Sequence, residues 1–172
     1  MKVNGKHFRT IWVDSEDPNI ICIIDQRHLP HKFVIEKLTN VTMARDAIRD
    51  MHVRGAGLIG VTAGYGMHLA AIDANDNSFD ADMINAGEYL TKSRPTARNL
   101  GWAVERILMA IQKETTVEEK KRIIFNTACE IAEEDADFCR RLGDHGIPIR
   151  RGGCDGRAAP APEKRRRAVG GP

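Results

Sequence analysis

The chain has 172 residues, of which 42 % are hydrophobic and 29 % charged, a composition that suits one folded domain or slightly more and excludes a disordered polyelectrolyte. No apolar stretch approaches the roughly 18 residues that a membrane-spanning helix needs, and the opening MKVNGKHFRT lacks the apolar centre of an export signal. The net charge of +2 hides an uneven distribution. Seven of the 26 basic and two of the 24 acidic residues lie from Arg150 onward, which leaves a body with 19 basic and 22 acidic residues. A mildly acidic body with a basic tail does not have the charge pattern of a nucleic-acid-binding domain, and the tail has no aromatic residue to stack on bases. Cys22, Cys129, Cys139 and Cys154 are scattered, with neither a CxxC pair nor histidines at zinc-like spacing, which suits a reducing cytoplasm.

In chain order, the first elements read as strands. HFRTIWV (7–13) and NIICIID (19–25) are rich in β-branched and aromatic residues, and DSEDPN (14–19) between them is turn chemistry. An antiparallel hairpin is expected, extended by HKFVIEKL (31–38). Thr42 stands where a helix cap is needed, ahead of Met43, Ala47, Ile48 and Met51 at helical spacing. The stretch MHVRGAGLIGVTAGYGMHLAA (51–71) then predicts a buried helix over 58–72. It does so despite Gly57, Gly60, Gly64 and Gly66, although a glycine costs about 1 kcal/mol against alanine in a helix interior.

After the polar loop DANDNSFD (73–80), a helix is predicted over 81–91. Pro95 suits the first turn of the next, whose apolar stripe is Leu100, Val104, Ile107, Leu108 and Ile111. Thr116 and Glu119 form a T-x-x-E capping box. It opens a long amphipathic helix through Ile123, Ile124, Thr127, Ala128, Ile131 and Phe138, ending near Gly143. The fold class is therefore α+β: a small N-terminal antiparallel sheet followed by a bundle of about five helices, over residues 1–146. Residues 147–172, mostly Arg, Gly, Ala and Pro without apolar periodicity, are expected to be a disordered basic tail.

The chemistry centres on two arginines. Arg54 precedes Gly55, Ala56 and Gly57, which lead straight into a helix. Glycines let backbone approach a ligand closely, the free N–H groups of a helix start favour an anion, and a guanidinium adds forked, charge-assisted hydrogen bonds. The bland alternative is that Gly60, Gly64 and Gly66 allow close helix packing and Arg54 forms an ordinary surface ion pair. The two are compatible. Arg94, in KSRPTARNLGW, stands in the same way before Pro95 and another helix, either as a second phosphate ligand or as a solvated linker charge. Arg98 reads as a surface residue.

Elsewhere the pattern offers little. Asp25 and His28 lie at a strand end, and His28 and His31 lack further ligands at metal-binding spacing, so no metal site is expected. His52 and His68 read as helix-face residues, Cys22, Cys129 and Cys139 as buried and inert, and EEDAD (133–137) as the solvated side of the long helix. No nucleophile–base arrangement emerges, so no catalytic residue is assigned. The residues alone describe a phosphate-sized anion site without a visible catalyst.

Four segments, IIDQRHLPH, AIRDMHVRGAGLIGVTAGYG, SRPTARNLGWAVERI and RRLGDHG, resemble in order the signatures of S-methyl-5-thioribose-1-phosphate isomerase. That family shares a superfamily with ribose-1,5-bisphosphate isomerase and the regulatory subunits of translation initiation factor 2B. The resemblance covers about residues 2–146, and the DQ-x-x-LP strand end points more narrowly to the thioribose-phosphate enzymes. It implies aldose–ketose isomerisation in methionine salvage, a sugar-phosphate substrate held by Arg54, Gly55, Ala56 and Arg94, a cytoplasmic homodimer, and no metal or nucleotide cofactor. A glycine at position 57, where many members have proline, also occurs in relatives acting on other sugar phosphates. The alternatives implied are therefore a ribose-1,5-bisphosphate or related pentose-phosphate isomerase, and a non-catalytic regulatory subunit. Full-length members continue into a Rossmann-like domain that carries their catalytic cysteine and aspartate. That domain is missing from this sequence, and Cys154 does not sit in its context, so the 172-residue chain is expected to be inactive alone, its final residues arising from a frameshift or truncated gene.

Overall fold

The computed structural model describes Lys2, Val3 and residues 5–153. Residues through Asp137 form one compact unit and those from Phe138 a second. The first unit opens with a two-stranded ribbon, β1 (Lys2–Val3) against β2 (Lys6–His7), turning at Gly5. A three-stranded antiparallel sheet follows in the order β3 (Ile11–Val13), β4 (Ile21–Ile24), β5 (Ile35–Leu38). β4 is central and buried on both faces, which is why ICII is an unbroken apolar run rather than an alternating one. Its register pairs Trp12 with Cys22 and Cys22 with Lys37. The predicted first strand is thus split: Lys6–His7 pairs backwards, and Phe8 leaves the ladder to pack between the rings of Trp12 and Phe33.

Five helices follow: α1 (Val41–Arg49), α2 (Ala56–Asp73), α3 (Phe79–Thr91), α4 (Arg98–Ile111) and α5 (Val117–Gly153). Three sequence expectations are corrected at helix ends. Asn40, not Thr42, caps α1, its Oδ1 accepting the Met43 N–H at 2.9 Å, and Thr42 lies within the first turn. Met51 is exposed at φ 62°, beyond the helix rather than on its apolar face. Pro95 lies before α4, in a turn closed by the Ala97 N–H on the Arg94 carbonyl at 3.0 Å.

At α5, Thr116 Oγ1 accepts the Glu119 N–H at 3.4 Å, while the Glu119 carboxylate pairs with Arg122, so half of the predicted capping box forms. The helix runs past Gly143, where the sequence predicts its end, because a glycine is only a weak helix breaker. Residues 154–172, most of the predicted tail, lie outside the described residues. In the second unit, Arg140 and Asp144 pair along the helix at 3.5 Å, and Phe138 and Leu142 are exposed.

The core of the first unit is organised around α2, which is buried continuously from Leu58 to Ala71. Its glycines explain how so many neighbours fit. A Cβ on Gly66 would stand 3.1 Å from Leu90 Cδ2 and 3.2 Å from Ala44 Cβ, and one on Gly60 would stand 3.0 Å from the Asn99 carbonyl oxygen. Helices α1, α3 and α4 therefore press on α2 at positions without side chains. Gly64 is less demanding, with Ile131 and Ala128 at 3.6–3.7 Å.

His68, on the same helix, is buried against the Phe125 ring (centroids 4.8 Å apart) and lies 3.3 Å from the Pro18 carbonyl through Nε2. Burial lowers its pKa below the usual 6.5, with the Pro18 contact a smaller opposing effect. Because the folded value lies below the unfolded one, this contribution to stability is complete above the unfolded pKa and shrinks as pH falls through it. Urea denaturation at pH 7.5 and pH 5.0 is expected to show a loss on acidification. His68→Gln, which keeps a donor for Pro18, is expected to remove that part of the loss.

Candidate functional site

The starts of α2 and α4 lie side by side around one cavity of about 400 Å³. Gly55 is the N-cap of α2 at φ 94° and ψ 142°, a conformation that favours glycine, and no side chain caps the helix. The helical ladder begins with the Ile59 N–H on the Gly55 carbonyl at 3.1 Å, which leaves the N–H groups of Ala56, Gly57 and Leu58 without partners inside the helix. α4 starts in the same state: Ala97 is its N-cap, again with no side-chain hydrogen bond. By contrast, α1 and α5 are capped by Asn40 and Thr116.

Gly55, Ala56 and Ile59 supply one wall of the cavity, and Arg94, Thr96, Ala97, Arg98 and Asn99 the other. Of the four residues singled out in the sequence, Gly55, Ala56 and Arg94 thus share one cavity. Arg54 is exposed immediately before Gly55 and is not among the lining residues. Arg98, read as a surface residue, is exposed but belongs to the wall. Thr96 and Asn99 went unassigned, although all three share the RPTARNL segment with Arg94. Asn99 is fixed by packing, since its backbone lies on Gly60 of α2.

Charge distinguishes this region. Arg9, Arg27, Arg49, Arg106 and Arg122 each hold a carboxylate, whereas Arg54, Arg94 and Arg98 pair with no carboxylate of the described residues. Guanidinium groups without a carboxylate partner among the described residues, beside uncapped helix starts, give the recess a positive character. The described lining has no carboxylate, histidine or cysteine, and so no side chain of the kinds that most often move a proton.

Three other expectations are revised. EEDAD is solvated at Glu133 and Glu134, which are exposed and pair with Arg9 and Arg106, but half-buried Asp135 departs from that reading and sits where a Gly57 side chain would stand, its Oδ1 1.8 Å from that Cβ position. Burial raises the Asp135 carboxyl above its usual range. Cys129 is half-buried and Cys139 exposed, leaving Cys22 as the one of the three that is fully buried.

His52 lies in the α1–α2 connection rather than on a helix face, and it gathers with Asp25 and Glu36 so that their ligand-type atoms lie within 4.8 Å of one another. These atoms are already engaged. Asp25 takes Arg27 Nη2 at 2.6 Å, which holds its carboxyl down at about 2, and His52 Nδ1 lies 2.8 Å from Glu36 Oε2.

Residues 52–149, more than half of the chain, match the family described as the Initiation factor 2 subunit family. The chain belongs to that family. It is 42 % identical over 150 residues to a methylthioribose-1-phosphate isomerase of Desulfatibacillum aliphaticivorans, covering 87 % of this chain and 41 % of that protein. The corresponding protein of Escherichia coli is 44 % identical over 149 residues, 87 % of this chain and 39 % of that protein. The chain thus spans about 40 % of the length of the curated relatives it matches.

Among solved structures, 5-methylthioribose 1-phosphate isomerase from Pyrococcus horikoshii superposes with a TM-score of 0.69 at 36 % identity, over 75 % of this chain and 37 % of that one. The delta subunit of translation initiation factor eIF-2B from A. fulgidus gives the same score at 34 % identity, over 76 % and 38 %. The small sheet and five-helix bundle are the part of the family fold that this chain holds.

The Gly55 turn can be tested directly. Nothing lies within 4 Å of its Cβ position, so any cost of a side chain there is conformational. Gly55→Ala is expected to destabilise the protein by about 1–3 kcal/mol in urea titrations. An unchanged midpoint would show that the turn does not need glycine.

Proposed function

We propose that this chain is the phosphate-binding part of a sugar-phosphate aldose–ketose isomerase of methionine salvage, acting on S-methyl-5-thioribose 1-phosphate. The observation that carries the reading is the cavity between two uncapped helix starts, walled by Arg94, Arg98 and Gly55 and bordered by Arg54, with no carboxylate among its described lining residues. On this reading Arg54, Gly55, Ala56 and Arg94 hold the phosphate, and the identity to methylthioribose-1-phosphate isomerases supports the choice of substrate. Proton transfer on the sugar falls to groups outside the described lining. On this reading the working protein is a cytoplasmic homodimer whose reaction uses no metal or nucleotide and involves no nucleic acid.

Calorimetric titration with S-methyl-5-thioribose 1-phosphate and with the dephosphorylated sugar tests this. The phosphate ester is expected to bind and the free sugar not. Arg94→Ala and Arg54→Ala are each expected to weaken binding by about 10- to 100-fold, the worth of a charge-assisted hydrogen bond. Unchanged affinity in both variants would overturn the assignment. Turnover by the 172-residue chain is expected to be negligible, which an assay of the purified protein checks.

A second reading, a non-catalytic subunit of the initiation-factor type, is favoured by the equal superposition on the eIF-2B delta subunit. It predicts no selectivity for the thioribose phosphate over other phosphate esters.

A further inference from the structure

The DQRHLP strand end is not among the residues lining the cavity, yet it makes several polar contacts at the end of β4. The Asp25 N–H donates to the Val34 carbonyl at 3.0 Å, and the buried Asp25 carboxylate accepts Arg27 N–H, Nε and Nη2 and lies 3.4 Å from His28 Nε2. The Arg27 guanidinium held there also feels the charges of Glu36 on β5 and Asp50 at the end of α1.

The next residue reaches the other way. The Gln26 N–H donates to the His52 carbonyl at 2.8 Å, and the His52 ring is fixed by Glu36, 2.8 Å from Nδ1. A carboxylate can only accept, so Nδ1 carries the proton in this pair. The His52 and Val53 N–H groups both close on the Ala47 carbonyl, at 3.0 and 3.3 Å, and the Val53 side chain is fully buried. The connection from α1 to α2 is therefore tied at every residue from His52 to Val53. It then stops abruptly, at Arg54, whose guanidinium pairs with no carboxylate of the described residues, and Gly55, which turns at φ 94°.

We infer that Glu36 and His52, with the Gln26 backbone, are positioning residues: they clamp the chain two residues before Arg54, so that Arg54 at the cavity's border and the Gly55 turn in its wall are held in a fixed geometry. The sequence element that marks the strand end thereby acts on the anion site without touching it. The clamp itself rests on geometry alone, and only its effect on ligand affinity rests on the phosphate reading above.

The test uses the full 172-residue protein with Glu36→Ala, Glu36→Asp and Glu36→Gln. Alanine removes the acceptor, aspartate keeps the charge but loses the reach, and glutamine keeps a carbonyl acceptor at the same reach. Amide hydrogen exchange is followed at Gln26, His52 and Val53, whose N–H groups make the clamp, and, as an internal control, at Ile107 and Leu108 inside α4. Glu36→Ala and Glu36→Asp are expected to speed exchange at Gln26, His52 and Val53 about tenfold or more while α4 is unchanged, and Glu36→Gln to restore protection to within about threefold, as expected for loss and recovery of one hydrogen bond to a charged group. Exchange at these three residues within twofold of the parent in both alanine and aspartate variants would overturn the inference. So would a rise spread equally over them and α4, which marks a merely structural role. If alanine prevents folding, the aspartate and glutamine pair decides by the same criteria. In parallel, the dissociation constant for inorganic phosphate is expected to rise about tenfold in Glu36→Ala and recover in Glu36→Gln. Should the parent protein bind no phosphate, the anion reading falls while the exchange result still decides the clamp.

Discussion

A helix buried on every side forces its neighbours into place, and α2 is that helix. Burial from Leu58 to Ala71 satisfies its interior backbone by its own ladder and its side chains by packing, so the unmet polar requirement collects at its start, where the N–H groups of Ala56, Gly57 and Leu58 face outward without a capping side chain. The same packing brings the Asn99 backbone onto Gly60, and with it the first turn of α4 and the Arg94–Asn99 segment. The cavity is thus a consequence of core packing. Two helix starts are juxtaposed because the helices must interdigitate, and the recess between them inherits the positive ends of both dipoles.

Glycine serves two purposes along this one helix, and the structure separates them. At Gly55 the backbone itself needs the freedom, since φ of 94° with open space around it is a conformational requirement. At Gly60 and Gly66 the dihedrals are helical and the requirement is room for a neighbour. Gly57 meets neither description alone: its missing side chain admits the Asp135 carboxylate, which places a negative charge against the first turn of α2, on a helix whose neighbouring acids Glu133 and Glu134 are already neutralised by arginines.

Much of this was legible beforehand, for identifiable reasons. Apolar periodicity located the helices and the three main strands because burial acts at the scale of a whole element. ICII is apolar at every position because both its faces are covered, and the stripe Leu100, Val104, Ile107, Ile111 faces the core. Ends were less legible, because a cap depends on one hydrogen bond: Asn40 and Thr42 are both competent, and only the path of the chain decides for Asn40. The RGA and RPT segments drew attention to the cavity because glycine and arginine at helix starts have a physical meaning on their own. Arg98 was passed over because its helical position depends on where α4 begins, three residues after Pro95 rather than at it. The gathering of Asp25, Glu36 and His52 joins a strand end, a neighbouring strand and an interhelical connection, so no local spacing announces it.

The division of labour in the site follows from its composition. A recess built from guanidinium groups and helix starts stabilises a dianion well, and for the same reason it is a poor place to keep a general base, whose charged form is needed and whose proton affinity the surrounding positive field would lower. The described lining accordingly holds no carboxylate, and Asp135, which stands at the Gly57 Cβ position, is half-buried and held above its usual carboxyl range by that burial. On the function proposed above, the acid and base come from outside the described lining and meet the sugar end of a ligand held here by its phosphate. On that proposal, holding the phosphate at rigid helix starts fixes the distance and direction at which the reactive carbon is met, so that the turn at Gly55 and the connection that leads into it matter as much as the charges themselves.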